Sequence, residues 1–580
     1  MENAESLRSR LRSIDHKPYP AYKSLAGSYQ FQGYVLNIEH VQGDPFAAPS
    51  SLSVYVPLRI AAFPEEYYSD STRRTAMEDF LLRAFARKAD SVSFQARGSG
   101  KSGMFSVTHP GQEVYPRSSL EIGNGRITVR FEVGFPANGR SINAGELEKI
   151  LFNLIPQSVG SSLLYTTARR EELKAAVELS VDQCEIRKAL RERKLAAFVA
   201  DGSILPRESG VSDRPMRGAV PTRSPENLRV ELDLPYRGTV SGLGIPVGVT
   251  LIAGGGYHGK STLLEALERG VYNHILGDGR ELVITDDTAV KLRAEDGRKV
   301  TDVDISLFIR DLPVKTDTRH FSTLDASGST SQAAAVIEGI EAGTKLFLID
   351  EDTSATNLMV RDELMQRVIS RAEEPIIPYA SRVRELYEKA GISTILVIGS
   401  SGSYFEKADL VLQMDCYRIR DITEKARAAE CSFRQEISGS LSGQPEFPDF
   451  QLPEIRRTMH LPSGVQMQKS YRGDHVSEQR LKIRQMGKTA FTVGKQSLDL
   501  RYVEQIVDAE QTRTLAFLVR AAEEHFSGRD GVDISSEELF RYLRSLLRSG
   551  FAGIASGERN VPSGLAMVRI QDVCACFDRL

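Results

Sequence analysis

The chain has 580 residues, of which 41% are hydrophobic and 26% charged, a composition ordinary for a globular protein with several sizeable cores. Its formal net charge of −3 gives no global excess of positive charge that would require a nucleic-acid partner. Its five cysteines form no Cys-x-x-Cys pair and predict no zinc site, and no apolar run approaches the ~20 residues of a membrane helix, which argues against a membrane domain.

The first 200 residues alternate between strand and helix patterns. SLSVYVPLRI and GRITVRFEVGF are typical of strands, whereas TAMEDFLLRAFARKA, AGELEKILFNLI and REELKAAVELSVDQCEIRKALRERKLAAFVA have the apolar spacing of helices. We therefore predict an N-terminal α+β domain over residues 1–200. The N-terminus has no apolar segment of the kind that a secretory signal needs, and we expect reduced thiols and a cytoplasmic protein.

The stretch RGSGKSG, from Arg97 to Gly103, contains Gly-Lys-Ser but does not predict a phosphate site. A phosphate loop requires a glycine five residues before Gly100, where Gln95 stands, and the residues that follow predict a strand instead of a helix. We interpret the stretch as a glycine-rich hairpin connection that presents Arg97 and Lys101. It is either a plain turn or a basic loop for a nucleic-acid backbone.

Three further segments follow. Residues 201–227 are rich in Pro, Gly, Ser and Arg and predict a linker. Residues 228–450 alternate between strand and helix signals, which predicts βα units and a mostly parallel sheet, hence an α/β fold. Residues 451–580 begin with a basic loop and continue as a mainly helical domain.

A complete Gly-x-x-x-x-Gly-Lys-Ser pattern lies between the predicted strand VGVTLIA and the predicted helix STLLEALERGVY. Glycines let consecutive backbone N–H groups point at phosphate oxygens, and the helix N-terminus adds a favourable dipole. Lys260 is expected to reach the β- and γ-phosphates, and the Ser261 hydroxyl to ligate Mg²⁺. The predicted nucleotide-binding residues are Gly254, Gly255, Gly256, Tyr257, His258, Gly259, Lys260, Ser261 and Thr262.

The apolar segment TKLFLIDED predicts a strand that ends in acidic residues. Such a strand places Asp350 at the sheet edge beside the phosphate loop, where a carboxylate can hold Mg²⁺. Glu351 follows directly and is expected to polarise an attacking water, a contribution typically worth ~10²–10⁴ in rate. For His258 we expect a contribution to shape only, and for Tyr272 either core packing or adenine stacking.

Between these motifs, ASGSTSQAAAVIEGIEAG predicts a helix that opens at Ser327, Gly328 and Ser329 and leads into the acidic strand. Here the chain resembles the ABC-type ATPases, whose Leu-Ser-Gly-Gly-Gln signature also opens a helix leading to an Asp-Glu strand. Gln332 falls where that family often has a second glutamine. The place of the family's switch histidine holds glycine and serine, and we expect Ser400 to substitute there in part.

The combination of GGGYHGKSTLLEALERGVY, ASGSTSQAA, LIDEDTSATN and GSSGSYF resembles a narrower family, the predicted ATPases of the ABC class, which includes a mitochondrial RNA-editing accessory protein. GYVLNIEHVQGDPFA, GSGKSG and LPRESGVSDRPM fit that family as well. The resemblance implies an ABC-like core without transmembrane domains, RNA binding, and homodimerisation. In such a dimer, residues 254–262 of one copy hold ATP, and Ser327, Gly328 and Ser329 of the other copy cap it.

The stretch 455–488 combines basic residues with an interleaved tyrosine and is a candidate for nucleic-acid contact. A solvated, charged surface loop explains the same composition equally well. The candidate residues here are Lys469, Tyr471, Arg472, Lys482 and Arg484.

Two functions remain after these steps. The first is a slow Mg²⁺-dependent ATPase in which hydrolysis through Glu351 regulates a homodimer, with RNA or another nucleic acid as a candidate partner. The alternative is a nucleotide-gated nucleic-acid clamp or scaffold with little turnover. The missing switch histidine favours the clamp, and the Asp350–Glu351 pair favours the enzyme. A small-molecule kinase is a weaker third hypothesis, because the sequence indicates no acceptor pocket.

Overall fold

The computed structural model describes the chain except residues 1, 314, 362–373, 438–447, 454–456, 462–465, 469–476, 480, 495 and 527–532. The described chain divides into two compact units. Unit 1 comprises residues 1–181 and 549–567, and unit 2 comprises residues 182–548 and 568–580.

The elements are numbered in chain order over the described residues. The helices are α1 Ala4–Ser13, α2 Leu58–Ala61, α3 Ser71–Val92, α4 Ala144–Lys149, α5 Ile155–Ser162, α6 Arg170–Glu192, α7 Lys260–Arg269, α8 Gly328–Glu341, α9 Thr356–Met359, α10 Tyr379–Ala390, α11 Thr423–Ile437, α12 Ala509–Phe526, α13 Ser536–Arg548, α14 Gly550–Ile554 and α15 Ile570–Phe577. None of these described helices has both the length and the apolar character needed to cross a membrane.

The strands are β1 Glu2–Asn3, β2 Gly27–Phe31, β3 Tyr34–His40, β4 Ser50–Pro57, β5 Phe105–Ser106, β6 Glu113–Val114, β7 Leu120–Gly123, β8 Arg126–Val133, β9 Ala137–Asn138, β10 Ser141–Ile142, β11 Leu195–Ala200, β12 Arg207–Ser209, β13 Ser212–Pro215, β14 Arg229–Leu234, β15 Gly238–Pro246, β16 Val249–Ala253, β17 Asn273–His274, β18 Val283–Thr285, β19 Val290–Leu292, β20 Arg298–Val303, β21 Phe321–Ala326, β22 Leu346–Asp350, β23 Ser393–Val397, β24 Leu410–Asp415, β25 Arg418–Asp421, β26 Thr458–His460, β27 Gln466–Gln468, β28 Ser477–Gln479, β29 Ile483–Met486, β30 Ala490–Val493, β31 Gln496–Asp499 and β32 Asp533–Ser535.

Unit 1 is an α+β unit built on a sheet in the order β1-β2-β3-β4-β8-β5, with β7 also paired to β8. The pairing of β4 with β8 is antiparallel and sets Val54 opposite Val129, both fully buried. Helix α3 begins at the cap Asp70, whose carboxylate accepts the Arg73 N–H at 2.9 Å. Its buried face includes Phe85, whose ring contacts that of Phe131.

The stretch RGSGKSG connects helix α3 to strand β5, so the predicted hairpin connection is wrong. Helix α3, which precedes it, continues to Val92 because the apolar face of the helix is still buried there. Gly103 lies at φ +77°, where a Cβ would overlap the carbonyl oxygen of Ala96. The glycines therefore let the chain fold back closely on itself.

Unit 1 also contains a C-terminal segment that the sequence analysis assigned to a separate domain over 451–580. Ser118 donates its N–H to the Leu565 carbonyl at 2.8 Å, and its Oγ accepts the Leu565 N–H at 2.9 Å. Residues 549–567 thus pack with residues that precede them by more than four hundred positions, which no local pattern indicates.

Unit 2 contains a six-stranded sheet in the order β19-β22-β23-β16-β24-β25, parallel apart from β25. Helices α7, α8, α10 and α11 pack against its strands. A second, antiparallel sheet has the order β14-β15-β11-β18. In the C-terminal part, the described chain has the meander β29-β30-β31 followed by helices α12, α13 and α15.

Two sequence interpretations are corrected in unit 2. The segment KLAAFVA, predicted as the end of a helix, forms strand β11 between β15 and β18, because pairing on both sides overrides its helix-like spacing. The predicted linker 201–227 carries the β12–β13 hairpin. Arg207 of that hairpin donates to the buried carboxylate of Asp278 at 3.0 Å, so this segment is packed onto unit 2.

We predict that Gly103→Ala lowers the thermal stability of the chain more than Gly139→Ala. Both positions have positive φ, +77° and +60°, but only Gly103 lacks space for a Cβ. The difference between the two variants isolates the steric overlap, which we expect to be worth about 1–3 kcal/mol. Thermal melting measures it, and equal melting temperatures for the two variants would contradict the close packing at Ala96.

Candidate functional site

Three adjacent parallel strands of unit 2 end at the same edge of the sheet. Val397 of β23 pairs with Ile252 of β16 on one side and with Asp350 of β22 on the other. The loops that follow these strands therefore start side by side, as is general for ligand sites at the carboxyl ends of parallel strands. They are the predicted phosphate loop, the acidic pair and the Gly-Ser stretch at 399–401.

The loop between β16 and α7 has the backbone that its glycines were expected to permit. Gly254 lies at φ +146° and Gly259 at φ +95°, and a Cβ at Gly254 would overlap the carbonyl oxygen of Met414. Gly259 is the N-cap of α7 and supplies no side-chain acceptor for the first N–H groups of the helix. These N–H groups remain as donors for an anion.

Lys260 and Ser261 open helix α7, and their side chains contact different groups of the site. The Lys260 ammonium donates to the carbonyl oxygens of Gly254 at 2.6 Å and Gly255 at 2.9 Å, so it lies over the loop. The Ser261 hydroxyl donates to Asp350 Oδ2 at 3.2 Å. A hydroxyl and a carboxylate oxygen at this separation are hard oxygen donors, which fits a Mg²⁺ site completed by phosphate oxygens and water.

Glu351 is held by the loop after β23. Its Oε2 accepts the N–H of Gly399 at 2.6 Å and that of Ser400 at 3.1 Å, and its Oε1 accepts the Ser400 hydroxyl at 2.8 Å. Partial burial raises the pKa of the Glu351 carboxyl, but these hydrogen bonds outweigh burial and bring the pKa below its usual range. Ser400 therefore contacts the carboxylate beside which it was expected to act.

Ser327, Gly328 and Ser329 form the start of helix α8. Ser327 is exposed and caps the helix, with its Oγ accepting the Thr330 N–H at 3.4 Å. Gly328 packs closely against another segment of the same chain, since a Cβ there would be 3.2 Å from Asp296 Oδ1. The first turn of α8 thus presents small residues and backbone at the surface.

Gln332 connects helix α8 to the segment after the acidic pair. Its buried amide accepts the Ala355 N–H at 2.8 Å and donates to the Ser354 hydroxyl at 3.0 Å. Ser354 in turn donates to the Asp350 carbonyl at 2.8 Å. Hydrogen bonds therefore join the start of α8 to the end of β22. The position of Gln332 was the one sequence feature that pointed to this connection.

His258 has a more specific contact than the contribution to shape that the sequence suggested. Its Nδ1 accepts the Cys416 N–H at 2.9 Å, and its carbonyl oxygen accepts the Tyr417 N–H at 3.1 Å. Because Cys416 and Tyr417 form the turn between β24 and β25, His258 ties the phosphate loop to that turn. Nothing in a single sequence indicates a contact over this distance along the chain.

Tyr272 packs inside unit 2. It is buried, and its hydroxyl donates to the Gln505 carbonyl at 2.9 Å. Of the two roles expected for it, the structure matches core packing and leaves its ring no open face for adenine.

The described residues that were predicted for nucleic-acid contact belong to both units, Arg97 and Lys101 to unit 1 and Lys482 and Arg484 to unit 2. Arg97 is exposed, and Lys101 is half-buried with its N–H donating to the Pro45 carbonyl at 2.9 Å. Lys482 and Arg484 lie before and within strand β29. Lys469, Tyr471 and Arg472 lie outside the described residues, so the nucleic-acid interface stays a prediction.

Similar proteins were found at the levels of sequence and fold. The uncharacterized protein MJ1628 of Methanocaldococcus jannaschii is 35% identical over 232 residues, which are 38% of this chain and 50% of that protein. This chain thus spans half the length of that curated relative. Among solved structures, cbiO1 of Clostridium perfringens has 13% identity and a TM-score of 0.25 over 43% of this chain and 96% of its own. The ADP conformation of MJ1267, an ATP-binding cassette of an ABC transporter, has 15% identity and a TM-score of 0.23 over 35% and 92%.

Family models match three successive regions of the chain. The model for the N-terminal region of ATPases of the ABC class matches residues 4–166, and the model for the ABC ATPase P-loop domain matches residues 169–443. The model for the MRB1590 C-terminal domain matches residues 482–580. Because these matches succeed one another along most of the chain, and the P-loop match contains the site at the sheet edge, the chain belongs to the family of ABC-class ATPases related to MRB1590.

Proposed function

We propose that this chain binds ATP together with Mg²⁺ at the edge of the parallel sheet and hydrolyses it slowly to ADP and phosphate. The observation that carries the proposal is the convergence of Lys260, Ser261, Asp350 and Glu351 after neighbouring strands. Together they offer a cation, two hard oxygen donors and a carboxylate base within one loop cluster, which is what phosphoryl transfer to water requires.

The phosphate loop binds the nucleotide through backbone and lysine. The Lys260 ammonium, which now donates to Gly254 and Gly255, exchanges these neutral carbonyls for the β- and γ-phosphate oxygens. The exchange is favourable because hydrogen bonds between charged groups are stronger than those to neutral acceptors. The free N–H groups at the start of α7 bind the remaining phosphate oxygens.

Ser261 and Asp350 are the residues that would hold the metal ion. Mg²⁺ bound there supplies positive charge against the phosphate oxygens. The Asp350 carboxylate orients the Ser261 hydroxyl through their 3.2 Å hydrogen bond, and its Oδ1 accepts the Asp352 N–H at 3.1 Å. The side chains are thus oriented before any ligand arrives.

Glu351 is the general base in this proposal, and Ser400 is its positioning residue. The lowered pKa keeps the Glu351 carboxylate ionised at neutral pH, and it also makes the carboxylate a weaker base. Three hydrogen bonds from Gly399 and Ser400 occupy much of its acceptor capacity. Each of these hydrogen bonds stabilises the ionised carboxylate more than the protonated acid, which supports slow turnover.

A second copy of the chain is the partner that we propose. Ser327, Gly328 and Ser329 of one copy would cap the γ-phosphate held by the other copy. Both the phosphate loop and the segment before α8 carry an exposed apolar side chain, which supports this arrangement. Tyr257 in the loop is fully exposed, and Leu324, shortly before Ser327, is 80% exposed. In the proposed dimer the second copy would cover both of these side chains.

A nucleotide-gated clamp with little turnover is the alternative. It is favoured by the loop after β23, which holds Glu351 through backbone N–H groups and a serine and offers no imidazole at positions 399–401. In this alternative ATP closes the dimer on RNA or another nucleic acid, and Lys482 and Arg484 are candidates for backbone contact. A salt-titrated RNA- and DNA-binding assay, combined with measured turnover, distinguishes the clamp from the enzyme.

We expect Lys260→Ala to weaken ATP binding by at least about tenfold, because hydrogen bonds to charged groups are worth about 1.5–3 kcal/mol. The matched control is Lys101→Ala, which removes the lysine of the other Gly-Lys-Ser stretch and should leave ATP binding unchanged. Calorimetric titration of both variants measures the difference. Retained binding or hydrolysis in Lys260→Ala would contradict the site.

We expect Glu351→Gln to bind ATP without hydrolysing it, because the amide is isosteric but is not a base. The ATP-bound variant should then accumulate as a dimer, detected by light scattering with and without ATP. Adding Ser327→Arg, a change at an exposed position, should prevent this dimer without affecting ATP binding. If ATP alters neither oligomeric state nor shape in Glu351→Gln, the capped dimer is wrong.

We expect Ser400→Ala to raise the pKa of Glu351, since it removes one of the hydrogen bonds that lower it. If hydrolysis needs the ionised carboxylate, its decline at acidic pH should begin at a higher pH in this variant than in the wild-type chain. Ser400→Thr keeps the hydroxyl and should keep the wild-type profile. A pH–rate profile that is identical in Ser400→Ala would argue against Ser400 as the positioning residue.

A further inference from the structure

The turn between β24 and β25 has an unusual sequence for its backbone. Asp415 pairs with Arg418 in the antiparallel ladder, so Cys416 and Tyr417 form a two-residue turn, and they lie at φ +48° and +64°. Hairpin turns with two positive φ values are normally made of Asn, Asp and Gly, because other residues pay a steric cost there. Such residues persist only where their surroundings hold them in place.

The surroundings here are the phosphate loop. The two N–H groups of the turn donate to Nδ1 and to the carbonyl oxygen of His258, at 2.9 and 3.1 Å. The Tyr417 ring lies against Gly259, where a Cβ would be 2.6 Å from Cδ1. The turn and the loop are therefore one packed unit in which a cysteine and a histidine are neighbours.

The side chains of this unit offer one nitrogen, one oxygen and one sulfur ligand atom. These atoms of His258, Asp415 and Cys416 all lie within 4.8 Å of one another, and His258 Nδ1 is 3.4 Å from Asp415 Oδ1. Ligand distances of about 2.0–2.3 Å in tetrahedral zinc sites place ligand atoms roughly 3.3–3.8 Å apart. The Cys416 thiol is free and exposed, so its side chain has room to rotate toward the other two ligand atoms.

The ligand types of the three side chains favour a thiophilic cation. Arg420 pairs with Asp415 Oδ2 at 3.1 Å, which fixes the carboxylate with Oδ1 toward His258. Imidazole and thiolate are ligands of zinc and other soft divalent cations, whereas Mg²⁺ selects oxygen ligands. The set is thus chemically distinct from the oxygen donors Ser261 and Asp350 at the nucleotide site.

We propose that His258, Asp415 and Cys416 bind a thiophilic divalent cation, Zn²⁺, at the base of the phosphate loop. The Cys416 thiol releases its proton to solvent on binding, and the fourth position of the tetrahedral site is taken by water. His258 Nδ1 accepts the Cys416 N–H through its single available lone pair, so coordination by this nitrogen replaces that hydrogen bond. The cation thereby changes how the phosphate loop is attached to the turn.

A cation at this site would also affect ATP binding, an inference that rests on the proposed function. Gly259, next to His258, is the N-cap of the helix whose N–H groups would bind phosphate. A cation that replaces the hydrogen bond between Cys416 N–H and His258 Nδ1 repositions the imidazole and alters the start of this helix. Zn²⁺ therefore acts as an inhibitor of ATP binding, from a site that does not overlap the residues that hold Mg²⁺.

The test uses Zn²⁺ alone, added to the full chain after reduction and removal of metal with a chelator. Competition with a chromophoric chelator measures affinity and stoichiometry. We expect one tight equivalent in the wild-type chain and a loss of at least about tenfold in Cys416→Ser, since changes beside a metal site already cost ~10–100-fold. Cys184→Ser and Cys431→Ser change other exposed cysteines and should bind as the wild type does.

Two further measurements separate binding from folding. Asp415→Asn keeps the thiol and should also weaken zinc binding, and thermal melting of both variants in chelator checks that the fold is intact. Co²⁺ in place of Zn²⁺ should give a thiolate charge-transfer absorption that Cys416→Ser lacks. Equal zinc binding by the wild type and Cys416→Ser, or loss of binding in a control cysteine variant instead, would overturn the proposal.

A second experiment compares ATP affinity with and without Zn²⁺ in the wild type and in Cys416→Ser. The variant is the control, because any loss of ATP affinity there comes only from zinc–ATP complexes in solution. A larger loss of ATP affinity in the wild type supports the coupling, and an equal loss in both chains removes it. If the wild-type chain binds no ATP at all, the proposed function fails while the zinc stoichiometry still decides the metal site.

Discussion

The register of three parallel strands determines where every group of the site can lie. Val397 of β23 has Ile252 on one side and Asp350 on the other, so the phosphate loop, the acidic pair and the loop after β23 all begin at one level. A shift of one residue would turn Asp350 from the site toward the opposite face of the sheet. The strands are buried along their length, and this burial is what holds the register, because any shift would expose apolar side chains or bury polar ones.

Much of this site could be predicted from the sequence, because its parts are local. The glycines at 254 and 259 indicate positive φ values. Lys260 and Ser261 follow at the start of a predicted helix, and Asp350 ends an apolar strand. Each of these features depends on only a few consecutive residues. The geometry of a parallel sheet then brings the carboxyl ends of the strands together. The α/β class of the P-loop core followed from the same alternation of strand and helix signals.

The rest depends on contacts between distant parts of the chain. Strand β11 has helix-like spacing and is a strand only because β15 and β18 pair with it. The segment 201–227 has the composition of a linker, yet the buried Asp278 holds its Arg207. The hydrogen bond from Cys416 to His258 joins residues 158 positions apart. No periodicity or composition encodes such pairs, since each partner has an ordinary local context.

The most consequential of these distant contacts is the one on Glu351. A carboxylate that accepts three hydrogen bonds is well oriented and ionised at neutral pH, but each donor that lowers its pKa also lowers its affinity for the proton that a general base takes from water. A histidine in the same loop could take part in proton transfer, whereas the two backbone N–H groups can only donate and the Ser400 hydroxyl is a poor base. Under the proposed function, the loop at 399–401 favours a long-lived ATP complex over rapid turnover. A long-lived complex would suit the proposed dimer, because the nucleotide would then set how long the dimer persists.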